Sequence, residues 1–236
     1  MATDTQDICK LLLQKGELKQ QIFHVTQNSM QLFCEAAQDF DKVYKQDYSS
    51  EHESVTVHFT QRNPHEFQLK FAGDILVFLM HTNVFEFPRD HEIMHSAYIK
   101  EDKSRSYCGM IYIYNFLADS FKYNRINDIG YLIGRILINR EGHYYVEGKR
   151  ELARILNNFS DNTLTPETAK EVMLSAIEYT LNFDLLVPEY NNDIQISVGD
   201  MMQIENQNML LRTGKRLGFR FEPDVDNKAD NKKETF

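Results

Sequence analysis

The chain has 236 residues, a formal net charge of −9 and a hydrophobic share of 42%. A chain of this length can bury a core without disulfides or a structural metal, and its composition is that of an ordinary globular protein. The acidic balance argues against broad nucleic-acid binding, which depends on neutralising phosphates.

The first predicted element is a long N-terminal helix. Apolar residues recur at steps of three and four along residues 17–47, which places them on one side of a helix that faces a core. Gly16 is expected to break or bend the helical segment before this point. Phe23 and Phe33 widen the apolar face beyond a narrow stripe, which predicts a homodimer through the N-terminal helix.

Strands are predicted over residues 54–148, where short runs alternate apolar and polar side chains. The clearest hairpin joins residues 130–139 to residues 143–148, because Gly142 supplies the glycine that a short connection needs for positive φ. A further short strand is expected at residues 97–99. The alternation favours an antiparallel sheet with one face against a core.

Residues 149–222 are predicted to form a helical C-terminal part. Thr165, Pro166 and Glu167 form a strong helix start, since they supply an N-cap, a proline in the first turn and an acid near the positive end. Residues 223–236 are charged and poor in apolar side chains, which predicts a disordered tail.

These elements predict a single α+β domain over residues 1–222. The domain combines a mainly antiparallel sheet with a long N-terminal helix and a helical C-terminal half. The sequence shows no internal repeat and no change of composition that would mark a domain boundary.

The sequence also favours a cytoplasmic location. Cys9, Cys34 and Cys108 are odd in number and unevenly spaced, which suits a reducing compartment. The polar N-terminus lacks the basic region of a secretory signal, and no apolar run reaches the length of a membrane span. We therefore expect a soluble protein without a membrane partner.

Residues His91-Glu-Ile-Met-His95 match the H-E-x-x-H pattern, in which a helix presents two histidines to zinc and the glutamate acts as a base. Pro88 lies just before the motif, strands are expected on both sides, and no third ligand is indicated nearby. A polar loop is the favoured interpretation, so His91 and His95 are weak metal candidates and we expect no cofactor.

A second motif lies at the predicted hairpin, where Glu147-Gly-Lys149 ends a strand and Asp128 lies near the start. The order of acid, hairpin, E-x-K and helix resembles the PD-(D/E)XK nuclease pattern. In that pattern two carboxylates hold a divalent metal ion and the lysine orients or activates water. The resemblance implies a metal-dependent nuclease or phosphodiesterase with Asp128, Glu147 and Lys149 as catalytic residues, although Asn127 replaces the expected proline.

Four basic residues near the C-terminus are candidates for binding a phosphate or carboxylate group. They are Arg212, Lys215, Arg216 and Arg220. The surrounding sequence lacks the full G-x-x-x-x-G-K-[ST] loop, and a solvated strand face is the favoured alternative.

No catalytic set of residues is complete in the sequence. The leading hypothesis is therefore a soluble intracellular binding or interaction protein without catalysis, whose ligand or partner the sequence does not identify. The metal-dependent nuclease is the alternative.

Overall fold

The computed structural model describes three stretches and two single residues, namely residues 4–48, 54–148 and 158–184, Leu152 and Val198. A long helix comes first, a six-stranded antiparallel sheet follows, and a second long helix comes last. The predicted α+β class is therefore confirmed. One long helix represents the predicted helical C-terminal half, while the remainder of that half and the tail at 223–236 lie outside the described residues.

The sheet is a simple meander, because its strands lie side by side in chain order and each runs antiparallel to the next. In chain order, the helices are α1 (Thr5–Asp47), α2 (Ala97–Glu101), α3 (Ala118–Lys122) and α4 (Pro166–Leu181). The strands are β1 (Val57–Asn63), β2 (Glu66–Phe71), β3 (Asp74–Glu86), β4 (Tyr107–Leu117), β5 (Tyr131–Asn139) and β6 (Tyr144–Gly148). Two short 3-10 helices, Glu92–His95 and Lys103–Ser106, lie on either side of α2.

Helix α1 continues through Gly16, so the predicted break at this glycine is wrong. Asp4 caps the helix by accepting a hydrogen bond from the backbone N–H of Gln6 at 3.4 Å. A glycine inside a helix costs about 1 kcal/mol relative to alanine. That cost is smaller than the cost of interrupting the hydrogen-bond ladder and starting a new helix.

The main core lies between one face of the sheet and the two long helices. Phe33 of α1 and Phe67 and Phe78 of the sheet are fully buried there. The rings of Phe67 and Phe78 are stacked with centroids 4.7 Å apart, and Phe33 lies 5.7 Å from Phe78. Phe33 therefore packs within its own chain, and the expectation that it marks a dimer surface is wrong.

Phe23, the other residue behind the dimer prediction, is half-buried against the rest of the chain. Its ring centroid lies 5.8 Å from that of His65, in the turn between β1 and β2. The two phenylalanines thus give no reason for a second copy at this part of α1.

The predicted hairpin and the predicted helix start are both present. Strands β5 and β6 pair around Gly142, whose φ of 79° is the left-handed conformation that the connection requires. Thr165 caps α4, because its hydroxyl accepts a hydrogen bond from the backbone N–H of Thr168 at 3.3 Å.

The other face of the sheet is covered along one end by the segment from Phe87 to Ser106. Its apolar side chains form a second core cluster with Cys108 and Leu137 of the sheet. The short strand expected at residues 97–99 is instead the start of α2, where the Ser96 hydroxyl accepts a hydrogen bond from the N–H of Ile99 at 3.3 Å. This capped turn lets a short helix lie on the sheet. The covering segment does not reach the opposite end of this face, where Ile75, Val77 and Ala118 form a third, small buried cluster against which Tyr114 and Phe116 pack.

Candidate functional site

The structure does not bring Asp128 and Glu147 together. Glu147 in β6 lies directly opposite Arg135 in β5 and forms an ion pair with it. Asp128 precedes Tyr131, the first residue of β5, and accepts a hydrogen bond from the Ser120 hydroxyl at 2.7 Å. Tyr131 and Arg135 are four strand residues apart, or about 13 Å. The two carboxylates thus have separate partners at separate places, and no shared metal site follows from their positions.

The two histidines of the H-E-x-x-H pattern do not share an α-helix, because His95 ends a short 3-10 helix and His91 is the extended residue that caps it. The single face that an α-helix gives to residues four apart, which differ in direction by about 40°, is therefore not formed. His91 caps this helix through Nδ1, which accepts from the N–H of Ile93 at 3.3 Å, and its Nε2 lies 3.7 Å from Oε1 of Glu147. Its ring also packs on Phe87. His91 therefore has a structural role in this end of the sheet.

Several predicted site residues lie outside the described residues. They are Lys149, Arg212, Lys215, Arg216 and Arg220. Within the described part of the chain, no group of three or more His, Cys, Asp or Glu side chains is close enough to hold a metal ion.

A dense polar network joins the covering segment to the β5–β6 hairpin. The Tyr98 hydroxyl donates to Oε2 of Glu141 at 2.8 Å and accepts from Nδ2 of Asn139 at 2.9 Å, and Arg105 binds Glu141 at 3.1 Å. Burial raises the pKa of Tyr98 to about 12. Burial alone would raise the pKa of Glu141, but the hydrogen bonds from Tyr98 and Arg105 hold it below its ordinary value. These side chains satisfy one another's hydrogen-bonding groups, so the network holds the Phe87–Ser106 segment on the sheet.

The most distinctive surface is the open end of the second sheet face, which the sequence interpretation did not identify. Alternate residues of β4 line it, and its centre is apolar. We call this surface the open face and define it by Leu79, Tyr112, Tyr114, Phe116 and Leu132. The register pairs Leu79 with Tyr112 and Tyr114 with Leu132, so the five side chains form adjoining rows.

Aromatic rings run in sequence along β4. The ring centroids of Tyr112 and Tyr114 are 5.7 Å apart, those of Tyr114 and Phe116 are 6.4 Å apart, and Phe121 of α3 extends the line at 5.3 Å from Phe116. Within the described residues, the hydroxyls of Tyr112 and Tyr114 have no hydrogen-bond partner. The surface therefore offers both apolar ring faces and polar groups that can accept or donate.

Aliphatic side chains flank the aromatic line and remain accessible. Leu79 is 37% exposed and Leu132 is 41% exposed. Ile126 and Ile129, in the loop before β5, are still more exposed. Single exposed leucines are common on protein surfaces, but a contiguous group on a sheet is typical of a binding surface.

Charged pairs border the open face on two sides. Arg62 of β1 lies 3.7 Å from Glu66 of β2, and the Arg62 guanidinium is 6.0 Å from the ring centroid of Phe121. On the other side, Arg135 pairs with Glu147. Each of these two arginines is matched by a glutamate.

The sequence contains a signal for this surface that the prediction did not use. Strand β4 carries Ile111 and Ile113 toward the helices and aromatic residues on the alternate positions. With long helices on one side of the sheet, the second apolar side of the strand requires a cover or a partner.

No family model, curated protein or solved structure matches the chain. Among the described residues, no helix combines the length and apolar character needed to cross a membrane.

Proposed function

We propose that the protein is a cytoplasmic binding protein without catalysis, and that its open face binds another protein. The observation that carries this proposal is a contiguous group of side chains on the half of the sheet that the Phe87–Ser106 segment does not reach, in which Leu79 and Leu132 are exposed and Tyr112, Tyr114 and Phe116 are half-buried. Burying such a group against a partner is favourable at roughly 25 cal/mol per Å² of apolar area.

The composition of the open face favours a protein over a nucleic acid. Protein interfaces have an apolar centre rich in Tyr and Phe and a polar border in which Arg is common, and the open face has this arrangement. Proteins that bind single-stranded nucleic acids stack the bases on aromatic side chains within a positively charged groove. Here Arg62 and Arg135 are each paired with a glutamate, and the whole chain carries a charge of −9.

The aliphatic residues also favour a protein partner. Leu79 and Leu132 have no π face on which a base or a sugar ring could stack, whereas they complement apolar side chains of another protein. The hydroxyls of Tyr112 and Tyr114, which have no hydrogen-bond partner among the described residues, would supply hydrogen bonds at the centre of such an interface, as buried tyrosines commonly do.

Two further parts of the proposal have their own support. The cytoplasmic location is supported by three free thiols, of which Cys34 and Cys108 are buried. No contact in the described residues supports the nuclease alternative, because Asp128 and Glu147 bind different groups. A homodimer through the N-terminal helix remains a proposal, at a surface different from the one first predicted.

Site-specific photo-crosslinking tests the partner of the open face. A photoreactive phenylalanine analogue would replace Leu79 or Leu132 in cells that produce the protein. Leu174 on α4 is the matched control, because it is a leucine of similar exposure (39%) outside the open face. We expect a cross-link to a second, different polypeptide from positions 79 and 132 and none from position 174. Adding Tyr114→Arg should abolish the cross-link from position 132.

Other products of the same experiment would contradict the proposal. A cross-linked species of twice the chain mass would show that a second copy occupies the face. A cross-link to residues 185–236 of the same chain would show that the protein covers its own face. An equal yield of the heterologous product from Leu174 would show that the capture is not specific.

A further inference from the structure

Helix α1 extends beyond the body of the protein at its N-terminal end. Every residue from Thr5 to Glu17 is exposed, and Leu18 is the first buried residue of the helix. We call residues 5–17 the overhang. At 1.5 Å per residue its 13 positions span about 20 Å.

The overhang continues the apolar side that α1 turns toward the sheet. At about 100° per residue, Ile8, Leu11 and Leu12 lie within about 60° of the mean direction of the buried residues of α1. Ile8 and Leu11 are each 51% exposed, and Leu12 is 70% exposed. Leu13 lies on the opposite side. The overhang therefore presents an apolar stripe that the described part of the body does not cover.

The base of the overhang is fixed to the body. Lys15 donates a hydrogen bond from Nζ to the Tyr107 hydroxyl at 2.9 Å, and its Nζ lies 4.4 Å from the centroid of the same ring. Beside this contact is an open cleft of about 630 Å³, whose lining includes Lys15, Leu18, Lys103 and Arg140. The overhang is thus a continuation of an anchored helix with free space under its apolar side.

The charges at the two ends of the overhang suit an antiparallel pair. Asp4 lies just before its start and Lys19 just beyond its base, whereas inside it Asp7 lies 4.0 Å from Lys10 and Lys15 is followed by Glu17. Two copies placed antiparallel, with Leu11 of one opposite Leu12 of the other, bring Asp4 opposite Lys19. In the same register Ile8 meets the apolar stem of Lys15, and the two helix dipoles oppose each other favourably.

We infer that the overhang is a homodimer surface, on which two copies of the chain pair antiparallel through Ile8, Leu11 and Leu12. A twofold axis between the central leucines makes the contact isologous, so each stripe covers the other. The cleft at the base leaves space for the first turn of the partner helix. Two such short helices bury a small area, so a weak, reversible dimer is expected.

Sedimentation equilibrium at protein concentrations from about 1 to 200 µM tests the pairing. The upper concentrations are needed because a small interface gives a weak dimer. We expect a reversible monomer–dimer equilibrium for the wild type and an increase of at least about tenfold in the dissociation constant for Leu11→Glu, which would bury an unpaired charge. Leu13→Glu is the matched control, because Leu13 is 63% exposed on the opposite side of the same helix and should leave the equilibrium unchanged. Circular dichroism would verify that both variants keep the helix content of the wild type.

A charge reversal tests the antiparallel register. Asp4→Lys should weaken the dimer because it places like charges together, and adding Lys19→Asp to the same chain should restore it because the opposite pair is re-formed. A wild-type protein that remains monomeric at about 200 µM would overturn the inference, because a weak dimer should form at that concentration. A dimer equally insensitive to Leu11→Glu and Leu13→Glu would also overturn it. Neither result bears on the open face, which shares no residue with the overhang.

Discussion

The contact between α1 and β4 depends on a glycine, and replacing it should loosen the whole fold. Gly109 is the third residue of β4 and lies directly under Thr26, which is fully buried in α1. A Cβ atom added to Gly109 would lie 2.8 Å from Cβ and 2.9 Å from Cγ2 of Thr26, and it would also overlap Oγ1. Carbon atoms normally pack at about 3.5–4.0 Å, so α1 would have to move by roughly 1 Å at its closest approach to the sheet.

The size of the effect follows from this displacement. Overpacking a core by one methyl group typically costs about 1–3 kcal/mol, and a contact between two backbone-fixed groups should lie at the upper end. We therefore expect Gly109→Ala to lower the free energy of unfolding by about 3 kcal/mol. In a domain of this size that corresponds to a drop of about 6–12 °C in Tm.

Urea denaturation followed by circular dichroism at 222 nm measures this loss, since the chain has no tryptophan for fluorescence. Gly16→Ala is the matched control, because no atom lies within 4 Å of the added Cβ and the residue is inside a helix. That substitution should stabilise the protein by about 0.5–1 kcal/mol.

A second substitution at Thr26 identifies the cause. Thr26→Gly removes the three atoms that the new methyl group would meet, although it also costs helix propensity and the hydrogen bond from Thr26 Oγ1 to the carbonyl of Ile22. In a double-mutant cycle with Gly109→Ala, we expect a favourable coupling of at least about 1 kcal/mol. Additive effects, or a Gly109→Ala variant within about 0.5 kcal/mol of the wild type, would refute the close packing of α1 on β4.

Three other expectations follow from the structure. Asn139→Ala should cost about 2–3 kcal/mol in urea denaturation, because the buried carboxamide makes four hydrogen bonds that close the hairpin and hold the covering segment; a loss below about 0.5 kcal/mol would contradict this. Thr165→Ala should cost about 1 kcal/mol through loss of the α4 cap, whereas Thr165→Ser should change stability by only a few tenths, and equal losses would show that the hydroxyl does not cap. A thiol reagent should rapidly label Cys9 alone in the native protein and also Cys34 and Cys108 after unfolding, so fast native labelling of either buried thiol would contradict their burial.

Local patterns predicted the elements whose signals are contained in a few neighbouring residues. The β5–β6 hairpin follows from Gly142 and its flanking strands, and α4 follows from the Thr165 cap. Gly16 misled the prediction, because a single poor helix former does not end a helix whose neighbours continue the hydrogen-bond ladder. Ser96 was missed as a cap, so a short helix was taken for a strand.

The positions of the candidate site residues depended on information that local patterns do not contain. Asp128 and Glu147 lie at the ends of one hairpin in sequence, but the strand register places Glu147 opposite Arg135 and leaves Asp128 beside Ser120. The open face was missed for a related reason. The alternation of β4 shows that both of its faces are apolar, but only the three-dimensional fold shows which half of the second face the Phe87–Ser106 segment covers.

The affinity of the open face for its partner is the most direct test of its role as a binding surface. The polypeptide identified by cross-linking would be purified and titrated calorimetrically into the wild type, Leu79→Arg, Leu132→Arg and Leu174→Arg. We expect one partner per chain and a dissociation constant at least about tenfold higher for Leu79→Arg and Leu132→Arg, because each variant places a charge in the apolar centre of the interface. Leu174→Arg should bind like the wild type. Unchanged affinity in the two open-face variants, or an equal loss in Leu174→Arg, would contradict a binding role for this face.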